Sequence, residues 1–208
     1  MITRDFFRKK PSPFRVHVDE KNASYDFVNH LLQFLPKETN RDIVLVCIGT
    51  DRSTGDALGP LIGTQLIQSK LTCFHVYGTL EEPVHAVNLE EKMIKINNQF
   101  DNPFIIGIDA CLGRTTSVGI ISINDGPVKP GAAVNKNLPL VGNIHITGIV
   151  NVGGFMEYMV LQNTRLHLVI KIAQTIAKGL LIADNRLNRE RQRTLLQESQ
   201  SHFFSGNV

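Results

Sequence analysis

Two short runs without a single charge limit what this chain can fold into: Ile43 to Ile48 and Phe104 to Ile108. Both are apolar and rich in branched side chains, the pattern of a strand buried on both faces of a parallel sheet. The first leads into the loop Gly49-Thr-Asp-Arg-Ser-Thr-Gly-Asp56, and Asp109 directly follows the second. In an open α/β sheet the ligand crevice lies beyond the carboxyl ends of the strands. Carboxylates in these two places can meet across one cleft, so Asp56 and Asp109 form the candidate active site.

The intervening sequence alternates in the same manner. Asn22 to Phe34 carries a helical stripe, Gly59-Pro60 opens a helix that runs to about Lys70, and Thr72 to Tyr77 reads as a strand. Glu82-Pro83 opens a helix through about Asn97, with Val84, Val87, Met93 and Ile94 facing inward. Val118 to Ile123 and Ile144 to Val150 are further strands, separated by a Pro-, Gly- and Asn-rich loop over 129–140. A long helix spans about Phe155 to Asp184. The expectation is one doubly wound α/β domain over 21–184, an N-terminal arm over 1–20 and a polar C-terminal extension over 185–208.

Bulk composition excludes several classes. A chain of 208 residues with 22 Lys+Arg against 19 Asp+Glu is close to neutral, which gives no ground for a nucleic-acid binder. The arginines at 186, 189, 191 and 193 read as a solvated helix end. Cys47, Cys73 and Cys111 are odd in number and widely spaced, which argues against a disulfide framework and fits a reducing cytoplasm. No uncharged apolar run approaches the ~18–20 residues that span a bilayer, and residues 1–10 lack the apolar core of a secretion signal.

Each candidate has a structural alternative. An aspartate near a helix start commonly caps backbone N–H groups, but Pro60 puts the expected helix start after Asp56. Asp109 ends an apolar strand and needs a partner or a ligand to offset desolvation. The glycines at 49, 55, 59 and 63 match neither the dinucleotide nor the P-loop fingerprint. His145 either faces the cleft, making an Asp56–Asp109–His145 set that zinc or nickel would accept, or is a half-buried, hydrogen-bonded strand residue, the reading preferred here. Cys111 has no base paired with it by sequence.

Three stretches resemble the spore germination proteases: Gly49 to Pro60, Ile106-Gly-Ile-Asp-Ala110, and the loop Pro130-Gly-Ala-Ala-Val-Asn135. The layout, with a Gly78-Thr79 turn, is also similar to the hydrogenase maturation endopeptidases, and in detail to the YyaC-type sporulation proteins, over roughly residues 40 to 180. The resemblance implies a three-layer αβα sandwich with a mostly parallel sheet, of the phosphorylase/hydrolase-like kind. It implies catalytic roles for Asp56 and Asp109, and substrate contacts from Gly131, Ala132 and Asn135. For the hydrogenase relatives it implies a divalent metal held by acidic residues and a histidine, which would be Asp56, Asp109 and His145. Ala133 and Asn135 replace glycines of the germination protease loop.

The expected activity is an aspartic-type endopeptidase of a sporulating cell, requiring no cofactor, cytoplasmic in the forespore or spore core. It would act on a protein or peptide substrate such as a spore protein, without nucleic acid or membrane, as a monomer or homo-oligomer. The alternative is a non-catalytic metal- or protein-binding regulatory module on the same fold. An N-terminal segment removed on activation, as in the germination protease, is the further expectation for the arm, beside that of a dispensable tail.

Overall fold

The computed structural model describes residues 12–36, 41–131 and 138–205. In chain order the elements are β1 (Phe14–His17), α1 (Ala23–Phe34), β2 (Ile43–Cys47), α2 (Leu58–Ile67), β3 (Phe74–Tyr77), α3 (Leu89–Gln99), β4 (Phe104–Gly113), β5 (Ile120–Asp125), β6 (Ile144–Val152), α4 (Glu157–Gln162) and α5 (Leu166–Ser205). The six strands form one sheet in the order β1-β5-β6-β4-β2-β3. Strands β3, β2, β4 and β6 run parallel, while β5 is antiparallel to β6 and β1 antiparallel to β5.

Alternation along β2 sorts its side chains between two cores. Ile43, Leu45 and Cys47 join α1, α2 and α5 on one face, whereas Val44, Val46 and Ile48 join α3 on the other. The result is the three-layer α/β arrangement expected, with the four parallel strands reaching one edge of the sheet at β3 and the antiparallel β5 and β1 forming the other side. From β2 the chain goes out to β3 and then crosses back to β4 on the other side of β2, so β2 and β4 flank the topological switch point where ligands of such sheets sit.

Four elements differ from the sequence expectations. Residues 14–17, expected in the arm, are a strand: Phe14, Val16 and Val18 are buried because they complete the core beside β5. Helix α3 begins at Leu89 rather than near Glu82, since Val84 bridges to Ile48 instead; Val87 and Ile94, expected inward, are exposed. The long helix is interrupted at Asn163–Arg165, where the buried Thr164 hydroxyl donates to the Val160 carbonyl and accepts from Asn151 Nδ2. Beyond that break α5 continues through the expected polar extension to Ser205.

By length and composition Leu166–Gln197 suffices to cross a bilayer. Here its apolar stripe, Val169, Ile172, Ala173, Ile176, Ala177, Leu180 and Ala183, is buried in the core with the spacing of one helix face.

Candidate active site

Strand β2 stops at Cys47, whose partner in β4 is Ile108. Asp109 is therefore the first β4 residue left uncovered on that side, although β4 itself continues to Gly113 and pairs Asp109 with Thr147 of β6. By strand alternation Asp109 lies on the α3 face, the face of Ile105. It is 7% exposed, and Ala110 N–H donates to its Oδ1 at 2.8 Å.

Asp56 sits in a 3₁₀ turn, Gly55–Ala57, that leads straight into α2. Neither this turn nor α2 has a side-chain cap hydrogen bond, so the capping alternative for Asp56 falls. Its loop is held from two sides. The Asp56 carbonyl accepts from Thr50 N–H at 3.1 Å, closing the loop on the end of β2. Gly55 is pressed against Leu161 and Thr164 at the α4–α5 corner, so the interruption in the long helix is what seats the Asp56 loop.

Both aspartates line one cavity of ≈ 390 Å³. Its walls come from the β2 loop (Thr50, Arg52, Ser53), the β4 end (Ala110, Cys111, Leu112), the segment His85–Val87, the loop Val128–Gly131 with Leu138, and α4 with Glu157, Tyr158 and Leu161. Burial raises the Asp109 carboxyl well above the usual aspartate range, the charge of Asp56 raises it further, and Ala110 N–H opposes both. Asp56 is also raised by burial, against the attraction of His85 and the Thr50 N–H. Each carboxylate is thus held in a poorly solvated place, and the two repel, which favours one proton between them. Beside them Ser53 Oγ is a buried hydroxyl without a hydrogen-bond partner among the described residues, a group that costs stability until something pairs with it.

The expected metal set does not assemble. His145 lies on β6 opposite Gly107, two positions from the partner of Asp109, and is not part of the cavity wall. Its Nδ1 donates to the Gly126 carbonyl at 2.8 Å and its Nε2 faces Asn124 Nδ2 at 3.4 Å, so both ring nitrogens are engaged. Among the described residues no three His, Cys, Asp or Glu side chains converge to hold an ion. The donors among the described residues do not fit a three-ligand metal.

Of the residues expected to bind substrate, Gly131 lines the cavity with φ +74°. Ala132 and Asn135 lie outside the described residues, as does Ala133. Cys111 reaches the wall, but burial pushes its thiol up to about 11, so it is a poor nucleophile. The residue that sequence reasoning missed is His85. It was hidden inside a helix expected to start at Glu82; the signal that places it in a loop is Asn88 followed by Leu89-Glu90-Glu91, a helix start with acidic residues in its first turn.

Known proteins resemble this chain in sequence and in structure. A Bacillus subtilis (strain 168) protein described as "Uncharacterized protein YyaC" is 58% identical over 163 residues, 78% of this chain and 80% of that protein. Among solved structures, the [NiFe] hydrogenase maturation protease HycI from Thermococcus kodakarensis KOD1 matches 69% of this chain and 90% of its own. That match has 21% identity and a TM-score of 0.47, too distant to speak to activity. A family model described as "Protein of unknown function (DUF1256)" matches residues 15–179, from within β1 to within α5, and the chain belongs to that family.

Proposed function

We propose that the protein is an endopeptidase of sporulating cells that hydrolyses a peptide bond with the pair Asp56 and Asp109. The observation that carries this reading is the pair itself: two poorly solvated carboxyls lining one cavity, neither spent on a helix cap. The ionised member takes a proton from water as the oxygen attacks the scissile carbonyl carbon. The protonated member donates a hydrogen bond to the carbonyl oxygen. Collapse of the tetrahedral intermediate breaks the C–N bond, and the leaving amine takes a proton from the pair. One water is consumed, and an acid and an amine are released. Gly131 stands on the cavity wall, and its backbone N–H is the donor this reading assigns to the oxyanion.

A second reading has one observation in its favour. Val87, Phe155, Met156 and Tyr158 are exposed apolar side chains, and Val87 and Tyr158 stand on the cavity wall. Such a surface suits capture of a protein segment with or without cleavage. Incubation with small acid-soluble spore proteins and with a peptide library, read by mass spectrometry, separates the two. Cleavage by the wild type that is abolished in both Asp56→Asn and Asp109→Asn, with chelator present throughout, is the expected result. Binding without any cleavage would establish the regulatory module instead.

A further inference from the structure

Strand β4 outruns its neighbour. Strand β2 ends at Cys47, paired with Ile108, whereas β4 runs on to Gly113 with β6 alone beside it. The peptide groups of a strand point alternately to its two sides, and on β4 the alternation is fixed by four hydrogen bonds. Phe104 N–H donates to the Asp42 carbonyl and the Ile108 carbonyl accepts from Ile48 N–H, so even-numbered residues face the β2 side. The Ile105 carbonyl accepts from Asn143 N–H and the Gly113 carbonyl from Gly153 N–H, so odd-numbered residues face β6. The register shift between Cys111 and Leu112 leaves this order intact, because its extra residue, Val150, lies on β6.

Ala110 and Leu112 therefore turn their main chain to the side that β2 no longer covers. Ala110 N–H is taken by Asp109 Oδ1 at 2.8 Å. The Ala110 carbonyl and both the N–H and the carbonyl of Leu112 have no hydrogen-bond partner among the described residues. Both residues are half-buried, and both line the cavity that holds Asp56 and Asp109. An uncovered strand edge of this kind is a template for another strand. A strand laid beside β4 would send alternate side chains to opposite faces of the sheet. The cavity offers apolar wall on each: Val128 and Leu138 belong to the core on the α3 face, Leu161 to the core on the other.

We propose that the cavity takes its substrate as an extended peptide strand, seated in line with β2 on the free edge of β4 and held by the Ala110 carbonyl and the N–H and carbonyl of Leu112. This rests on the endopeptidase reading and names its substrate class: an unfolded or loop segment, recognised through its main chain ahead of its side chains. A helical segment is refused, because its peptide groups are already spent on one another. The free edge begins one residue past Asp109, so a strand paired there runs beside the aspartate pair.

The test uses the full-length Asp56→Asn protein, which on that reading cannot consume a peptide, and a random peptide library displayed on phage; the tightest peptide selected is the probe. By NMR the Leu112 amide should exchange with solvent in the free protein and become protected when the peptide binds. Methylating the peptide's backbone nitrogens one at a time should weaken binding about tenfold at alternate positions and little between them, since every second N–H of a strand points at its neighbour. Leu112→Pro removes the free donor but no bond to β6, so the variant should fold and lose affinity to a similar degree; should it not fold, the methyl scan decides alone. A scan without alternation, a Leu112 amide that stays unprotected, or a library yielding no peptide that shifts the amides of Ala110–Gly113 overturns the proposal. A Leu112 amide already protected in the free protein overturns it as well, by showing that a segment of this chain or a second copy fills the edge. Alternating binding without cleavage by the wild type would keep the docking mode and defeat the peptidase reading, and cleavage without alternation would do the reverse.

Discussion

A carboxyl 7% exposed, beside a second carboxyl, makes stability depend on pH in a direction opposite to that of a salt-bridged aspartate. The folded Asp109 holds its proton above the ordinary value of 3.8, so at intermediate pH the native state binds a proton that the unfolded chain has released. The stability this contributes is complete below 3.8 and is lost as pH rises through the folded value. Wild-type Tm should therefore fall across that window, and Asp56, raised in the same direction, adds to the slope. Asp109→Asn removes the larger component. Its melting curves should show a shallower pH dependence and a Tm advantage over wild type that grows toward alkaline pH. A Tm loss of Asp109→Asn at every pH would mean that the carboxylate is structural, with an ionic partner it cannot spare. The two aspartates were legible because each follows an apolar run, a position only sequence order is needed to see. The place of His85 on the cavity wall was not, because it depends on a bridge between Val84 and Ile48 that no local pattern announces.

At the scale of elements, the site depends on how closely α2 approaches the sheet. A Cβ on Gly59 would collide with the Ile48 backbone, and one on Gly63 with the Gly78 carbonyl, so two glycines one helical turn apart let α2 lie directly on the strand ends. Gly63→Ala should push α2 outward at a cost of about 1–3 kcal/mol, as overpacking generally does. Because Asp56 lies immediately before α2, the same variant should lose cleavage more than its modest loss of stability explains. Denaturant melts and cleavage rates measured together check this, and an unaltered rate would show that the Asp56 loop is set independently of the helix. The five strands expected from sequence are all present: the unbroken apolar runs of β2 and β4 record burial on both faces, and β6 alternates buried with half-buried positions. The helix boundaries were less legible. The break at Thr164 is made by tertiary contacts with Asn151 and Gly55, and the helical periodicity on either side carries no trace of them.

For the whole molecule the informative segment is the one that looked least like core. Residues 1–20 are basic and lack a run of apolar residues, which is why they read as an arm; three alternate positions, Phe14, Val16 and Val18, are enough for an edge strand, and they were too few to register. Within it Phe14, Val16 and Val18 are buried, Phe14 stacks on His30 with ring centroids 4.2 Å apart, and β1 covers the outer edge of β5. The family match likewise begins at residue 15, inside β1. Burying three such side chains is worth on the order of 5–9 kcal/mol, comparable to the ~5–15 kcal/mol net stability of a typical domain. Deletion of residues 1–20 should therefore abolish the cooperative thermal transition, or lower Tm by tens of degrees, and should remove any peptidase activity with it. The outcome implied by the germination proteases, a gain of activity when an N-terminal segment is removed, requires the cut to fall before β1. A deletion of 1–20 that melts like the full chain would show that the strand order ends at β5 in solution and that the arm is dispensable after all.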